Sequence, residues 1–210
     1  MTRLNCLITA GPTREYLDPV RYISNASSGK MGYALATEAA SRGWDVVLIS
    51  GPVEREAPAG VRVIPVISAQ DMCLETKKRF ALCDIAIGAA AVADWRPLRF
   101  SRSKLKKTGS PPAIRLTANP DILEELGKIK QNQLMVGFAL ETNNLISSAR
   151  AKLKRKNLDI IVANKPSAIG KNSSQAVIID SLGKTTIVRG SKSLIAKRIL
   201  DAVYQKARHI

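Results

Sequence analysis

Histidine is almost absent from this chain. The only one in 210 residues is His209, next to the C-terminus. That leaves little basis for histidine acid–base catalysis or a histidine-ligated metal site. Cysteine is scarce as well. Cys6, Cys73 and Cys83 form no CxxC pair, and their number is odd. They read as small buried apolar residues of a reducing compartment, rather than metal ligands or a redox pair. Aromatic residues supply 4% of the chain, so the core must be mostly aliphatic. No apolar run is long enough to span a bilayer, and the N-terminus enters a strand-like segment without a signal-peptide pattern. The expected location is cytoplasmic, with no membrane partner.

Acidic residues are outnumbered, 17 against 33 lysines and arginines, for a formal net charge of +16. Nucleic-acid binders are this basic, and so are proteins that hold polyphosphates. The charge is spread along the chain. Its densest run, Lys152 to Lys156, falls on an expected helix without interleaved aromatics. Nucleic acid is therefore the weaker reading.

What is present is a complete core composition, 45% hydrophobic, in a length that suits one domain over residues 1–210. The chain is organised around Leu7 to Glu15 and its continuation from Arg21 to Gly32. These segments read as a buried strand, a long polar loop and the Gly-rich start of a helix. A helix start offers unpaired backbone N–H groups to an anion, and so long a loop in a compact domain is usually functional.

Leu4 to Ala10 suits a central parallel strand. Gly29 to Arg42 reads as a helix with Gly32, Leu35, Ala36 and Ala39 on one face, and Asp45 to Ser50 as the next strand. Val61 to Val66 is a third strand, placed at an edge by Pro65. Ser68 caps a helix to about Ala81. Asp84 to Val92 is apolar enough for a strand buried on both faces. Arg96 to Pro112 is a basic segment, either a surface loop or a lid. Ile114 to Thr117 is a short strand. Asn119-Pro120-Asp121 opens a helix, with Pro120 at its first position, running to about Lys130. Leu134 to Ala139 and Asp159 to Ala163 are strands around a helix from Asn144 to Lys156, capped by Thr142. Ala176 to Asp180 and Thr185 to Arg189 form an antiparallel hairpin, and Ser191 or Ser193 caps a last helix ending near Lys206. The sum is one α/β domain with a doubly wound, Rossmann-like, mostly parallel sheet and a late antiparallel hairpin.

No GxGxxG follows the first strand; the spacing Gly11…Gly29…Gly32 is wrong for it. Ser28-Gly29-Lys30 has half a Walker A pattern, but Met31 follows where Ser or Thr belongs. An anion cradle of Ser27, Ser28 and Gly29 and a simply capped helix both remain open. Asp94 ends the fourth strand, as a ligand contact or a turn cap. Lys104, Lys106 and Lys107 are lid lysines or a solvated loop. Lys152 and Lys156 share a helix face, as a phosphate clamp or a wet surface. Phe138 is core, or a stacking platform for a base. A short-chain-type NAD(P) oxidoreductase needs Tyr-x-x-x-Lys, and no tyrosine here has a lysine four residues on.

Taken together, LITAGPTRE, DPVRYISN, SSGKMG, AAVADW, the KLKK of the basic segment, ANPDIL, VGFALETNN and KLKRKNLDIIVAN resemble the phosphopantothenoylcysteine synthetase family, the ligases of coenzyme A biosynthesis. The segments run in order from Leu7 to Asn164. The resemblance implies a CTP-dependent, Mg²⁺-assisted reaction. The carboxylate of 4′-phosphopantothenate becomes an acyl-cytidylate, pyrophosphate leaves, and the amine of L-cysteine displaces CMP. It implies that Asn25 and Arg21 act on the acyl group and that Lys104 closes over the substrates. It implies CTP contacts by Gly88, Ala89, Ala90, Asp94, Lys104, Asn119, Pro120, Asp121, Ile122, Phe138, Lys152 and Lys156, with no metal ligand assigned to a side chain. It further implies a homodimer. Two departures stand out. Ala26 occupies a position that is often Arg or His in relatives. The chain also starts at the synthetase strand, with no candidate for the catalytic histidine of the flavin-dependent decarboxylase that many relatives carry. That favours a stand-alone synthetase without flavin, beside a separate decarboxylase, although a piece of a fusion would look similar.

Overall fold

The structure, a computed structural model, describes residues 3–107, 109, 113–165 and 173–207. His209 and positions 108 and 110–112 of the basic segment lie outside the described residues.

An eight-stranded sheet forms the centre. Its order is β12 (Thr185–Ser191), β11 (Ser173–Asp180), β10 (Ile160–Asn164), β9 (Leu134–Leu140), β6 (Ile85–Gly88), β1 (Asn5–Ala10), β4 (Asp45–Ser50) and β5 (Val61–Pro65). β1 pairs in parallel with β4 on one side and β6 on the other, so the strand order reverses beside it. β11 and β12 are antiparallel, as expected of the late hairpin. Pro65 sits on the edge strand β5, where a missing donor costs least.

Helices cover both faces. α1 (Lys30–Ser41) and α5 (Lys192–Ala207) share one core with Ile8, Ile87 and Val136. α2 (Ala69–Phe80), α3 (Ile122–Ile129) and α4 (Leu145–Arg155) pack on the other, around Leu7, Ala86 and Met135. The strand alternation of apolar side chains feeds both layers, and the core is aliphatic apart from a few rings such as Tyr33, Trp44 and Phe80. The face of α1 read from its spacing is the buried one, with Tyr33 added. A Cβ on Gly32 would lie 2.5 Å from the Ala10 Cβ, so a missing side chain lets α1 lie directly on β1.

Several boundaries differ from expectation. The continuous fourth parallel strand ends at Gly88, not Val92; beyond it the pairing with the β1 side thins to a single bridge between Ala91 and Pro12, and Ala89 to Val92 line a cavity. Pro120 lies outside α3, whose N-cap is Asp121, accepting from the Glu124 N–H at 3.2 Å. α4 begins after Asn144 in the left-handed region (φ 51°), without a side-chain cap, so Thr142 is not its cap. The short strand expected at Ile114 is β8 (Leu116–Ala118), paired with β7 (Trp95–Pro97) from the start of the basic segment. The long loop after β1 holds a hairpin of its own, β2 (Arg14–Tyr16) with β3 (Tyr22–Ser24). Ser68 does cap α2, in a reciprocal arrangement with Asp71, and Ser191 accepts from the Leu194 N–H at the start of α5.

Candidate active site

A cavity of about 580 Å³ opens at the C-terminal ends of β1, β6 and β9, where the strand order reverses. Open α/β sheets bind their ligands there, because the loops on either side of the reversal run apart and leave a crevice. Segments distant in sequence meet around it.

One wall is the loop from β3 into α1. Asn25, Ser27, Ser28 and Gly29 line the cavity. Gly29 is the N-cap of α1 at φ 69°, a conformation that suits a residue without Cβ, and no side chain caps the helix. Arg55 Nε donates to the Ser28 carbonyl at 3.0 Å, which ties the turn to the loop after β4. Asn25 Nδ2 donates to the carbonyls of Val92 (2.9 Å) and Ala91 (3.3 Å). Its Oδ1 accepts no hydrogen bond among the described residues.

The floor is Gly88, Ala89 and Ala90, all small, so that backbone can come close to a bound group. Asp94 lines the cavity, and its backbone carbonyl accepts from the Asn119 N–H at 2.9 Å. Asn119 Nδ2 donates to the Ala93 carbonyl (2.8 Å), and its Oδ1 accepts from Arg96 (3.1 Å). The opposite wall is Asn119 to Ile122 with Phe138, which is half-buried at the end of β9. Lys152 of α4 and Lys156 at its C-cap line the cavity but are already engaged. Lys156 Nζ lies 2.7 and 2.9 Å from the two oxygens of Asp121. Lys152 Nζ lies 2.6 Å from Glu141 Oε1, close but not aligned as a hydrogen bond.

Two expected residues are not brought here: neither Arg21 nor Lys104 lines the cavity. Arg21 is committed to Asp18 and to the Leu105 carbonyl, and Lys104 is exposed on the neighbouring basic segment. Other cavity residues were missed. Lys30 belongs to the SSGKMG stretch and had a local signal. Ser174 and Lys192 come from β11 and α5, and nothing near them in sequence marks them as cavity residues. Lys192 donates to Ser174 at 3.0 Å. Burial, then the charge of Lys30, push Lys192 below the ordinary lysine value.

Among the described residues no cluster of three or more His, Cys, Asp or Glu is suited to a metal, and no helix is long and apolar enough to cross a membrane. Fold and cavity therefore define a class: a doubly wound α/β domain with a cavity of mixed polar and apolar lining, bordered by lysines from α1, α5 and the end of α4, at its topological switch point. Comparison with known proteins narrows the class. The family described as DNA/pantothenate metabolism flavoprotein C-terminal domain matches residues 1–207, and the chain belongs to it. This is the family to which the motif resemblance pointed. The coenzyme A biosynthesis bifunctional protein CoaBC of Borreliella burgdorferi is 42% identical over 94% of this chain and 52% of its own length. That of Haemophilus influenzae is 51% identical over 77% of this chain and 40% of its own length. The chain thus spans about half the length of these curated relatives. The crystal structure of the C-terminal domain of CoaBC superposes with a TM-score of 0.87 at 37% identity, covering 99% of this chain and 97% of that one.

Proposed function

We propose that this chain is a phosphopantothenate–cysteine ligase that uses CTP and passes through an acyl-cytidylate. The observation that carries the reading is the convergence, in one switch-point cavity, of Asn25, Ser27 to Gly29, Gly88 to Ala90, Asp94, Asn119 to Ile122, Phe138, Lys152 and Lys156. These residues come from segments spread over more than half the chain, and a purely structural role would not require them to meet.

A free carboxylate is a poor acyl donor. Making it a mixed anhydride with CMP divides one hard step into two easier ones. In this reading Phe138 and the Asn119 to Ile122 turn face the base and sugar. Lys152 and Lys156, oriented by Glu141 and Asp121, offset phosphate charge, and the α1 N-terminus cradles the reacting carboxylate or phosphate. Asn25, fixed by its two donated bonds, presents Oδ1 to the attacking amine and orients its lone pair toward the acyl carbon. Lys104 and Arg21 lie outside the cavity, on the basic segment and the β2–β3 hairpin; this reading keeps for them the roles the resemblance implies, toward the charge of pyrophosphate and of the acyl group. Mg²⁺ prefers oxygen ligands, retains waters and is commonly carried on substrate phosphates with one or two carboxylates. Asp94, whose carboxylate makes no contact among the described residues, fits that need; the cation would neutralise triphosphate charge. A homodimer is supported by the exposed apolar side chains on and beside the two hairpins: Val20, Tyr22, Trp95, Leu98, Phe100 and Leu116.

The test is pyrophosphate release with CTP and 4′-phosphopantothenate together, run in parallel with ATP. No release at any Mg²⁺ concentration would refute the ligase, and release with ATP alone would refute the nucleotide assignment. Asn25→Asp sets a carboxylate against two carbonyls and should slow amide formation more than pyrophosphate release. Single-turnover mass spectrometry should then show accumulated acyl-cytidylate; its absence removes the role given to Asn25.

A further inference from the structure

The turn joining β2 to β3 does more than reverse the chain. Asp18 sits in it with no solvent exposure. Its Oδ1 serves the turn, accepting from the backbone N–H groups of Val20 and Arg21, each at 2.9 Å. Its Oδ2 serves something else. It accepts from Arg21 Nε at 3.0 Å, from Arg21 Nη2, and from the backbone N–H of Leu105 at 3.1 Å. Arg21 Nη2 in turn donates to the Leu105 carbonyl at 2.7 Å.

One carboxylate–guanidinium pair therefore holds both polar backbone groups of Leu105, a residue 87 positions further on. A second tie joins the Ser101 N–H to the Leu17 carbonyl at 2.8 Å. An Asp that merely caps a turn needs only the bonds made by Oδ1. The Oδ2 bonds cost the burial of a charge and are charge-assisted, so they are the strong, directional kind. What they fix is the basic segment, at the residue next to Lys104.

We propose that Asp18 is a positioning residue for Lys104: it grips the Leu105 peptide directly and through Arg21, and so sets where the Lys104 side chain is presented. The same clasp holds the Arg21 guanidinium beside that segment, which couples two residues that lie outside the cavity. The assignment rests on the ligase reading of Lys104; the grip on Leu105 is independent of it.

The experiment uses the whole chain and three variants: Asp18→Asn, Lys104→Gln and the double. An amide at position 18 has one acceptor oxygen where the turn, Arg21 and Leu105 need two. Pyrophosphate release from CTP and 4′-phosphopantothenate should fall about 100-fold in Asp18→Asn, the loss that follows when a catalytic group is misplaced by about 1 Å. The double variant should be no slower than the worse single variant, since an unanchored lysine has nothing further to lose. A merely structural role for Asp18 would make the two defects multiply. Residue-resolved amide hydrogen exchange reads the grip without any activity. Leu105 should lose protection about tenfold or more in Asp18→Asn, while the amides of β1 and β6 keep theirs. Multiplying defects, or an unchanged Leu105 amide, overturn the proposal. If the unmodified protein releases no pyrophosphate, the ligase reading falls, and Leu105 exchange alone decides whether Asp18 holds the segment. Asp18→Glu, which keeps the charge but displaces it by one methylene, carries both readouts should Asp18→Asn fail to fold.

Discussion

Gly32→Ala separates packing from propensity at the foundation of the site. Gly32 lies in the first turn of α1, directly over β1. An ideal Cβ there falls 2.5 Å from Ala10 Cβ, 3.1 Å from Ala10 Cα and 3.3 Å from the Thr9 carbonyl oxygen. Carbon atoms are comfortable at about 3.5 Å or more, so the helix must lift by about 1 Å. The neighbours are the backbone and Cβ of a buried central strand, and neither can swing aside. Overpacking of this kind costs about 1–3 kcal/mol. Replacing a helical glycine with alanine returns about 1 kcal/mol. The net loss is about 0–2 kcal/mol, or up to about 8 °C in Tm for a chain of this size. Activity should suffer more. The turn that lifts carries Gly29 and Lys30 on the cavity wall, and a displacement of about 1 Å there is expected to cost about 100-fold in kcat/KM. Calorimetry and the pyrophosphate assay measure the two effects on one preparation. A protein that gains stability and keeps its activity would refute the reasoning, because that is the outcome of helix propensity acting alone.

Other outcomes follow from parts of the structure away from the cavity. Ser68→Ala removes the reciprocal cap of α2 and should cost about 1 kcal/mol, a fall of about 2–4 °C in Tm, with the rate of pyrophosphate release unchanged. All three thiols are buried, and burial pushes Cys83 up to about 12, with Cys6 and Cys73 also raised. Ellman's reagent at pH 8 should therefore label none of them in the native protein and all three after denaturation; a native thiol reacting within minutes contradicts their burial. The Asp18 carboxyl is held well below the usual carboxylate range, first by its hydrogen bonds from Arg21. A depressed folded value contributes stability that is complete above the unfolded value of about 3.9, and that is lost as pH falls toward the folded value. The difference in Tm between the unmodified protein and Asp18→Asn should thus be constant from neutral pH to about pH 5 and shrink below about pH 4; a difference that widens on acidification would reverse the sign.

Local signals carried much of this protein. The apolar stripe of α1, the Ser68 cap, the edge position of Pro65 and the late hairpin are all functions of spacing within one turn or one ladder, and each is where the pattern put it. The errors share a cause. Ala89 to Val92 are as apolar as a strand, but beyond Gly88 only the bridge of Ala91 to Pro12 continues the pairing, where the sheet gives way to the cavity. Thr142 and Pro120 have the right chemistry for helix starts, yet the chain enters α4 through a left-handed Asn144 and α3 through Asp121. Propensity ranks such choices, and tertiary context selects among them.

By itself, then, the sequence determined the order of the main parallel strands and helices, the late hairpin and the class of sheet, because hydrophobic period, turn chemistry and caps act over a few residues; the β2–β3 hairpin and β7 were not legible, and the stretches expected at the site came from the motif resemblance. Only the tertiary structure decided which charges face one another. Lys156 is paired with Asp121 and Lys152 lies against Glu141, while Lys192 comes to the cavity from the last helix. Arg21 and Lys104 stand together outside it, tied by Asp18 through Leu105. Those partners lie 11 to 87 positions apart. Their meeting depends on strand order and register, which no local pattern encodes.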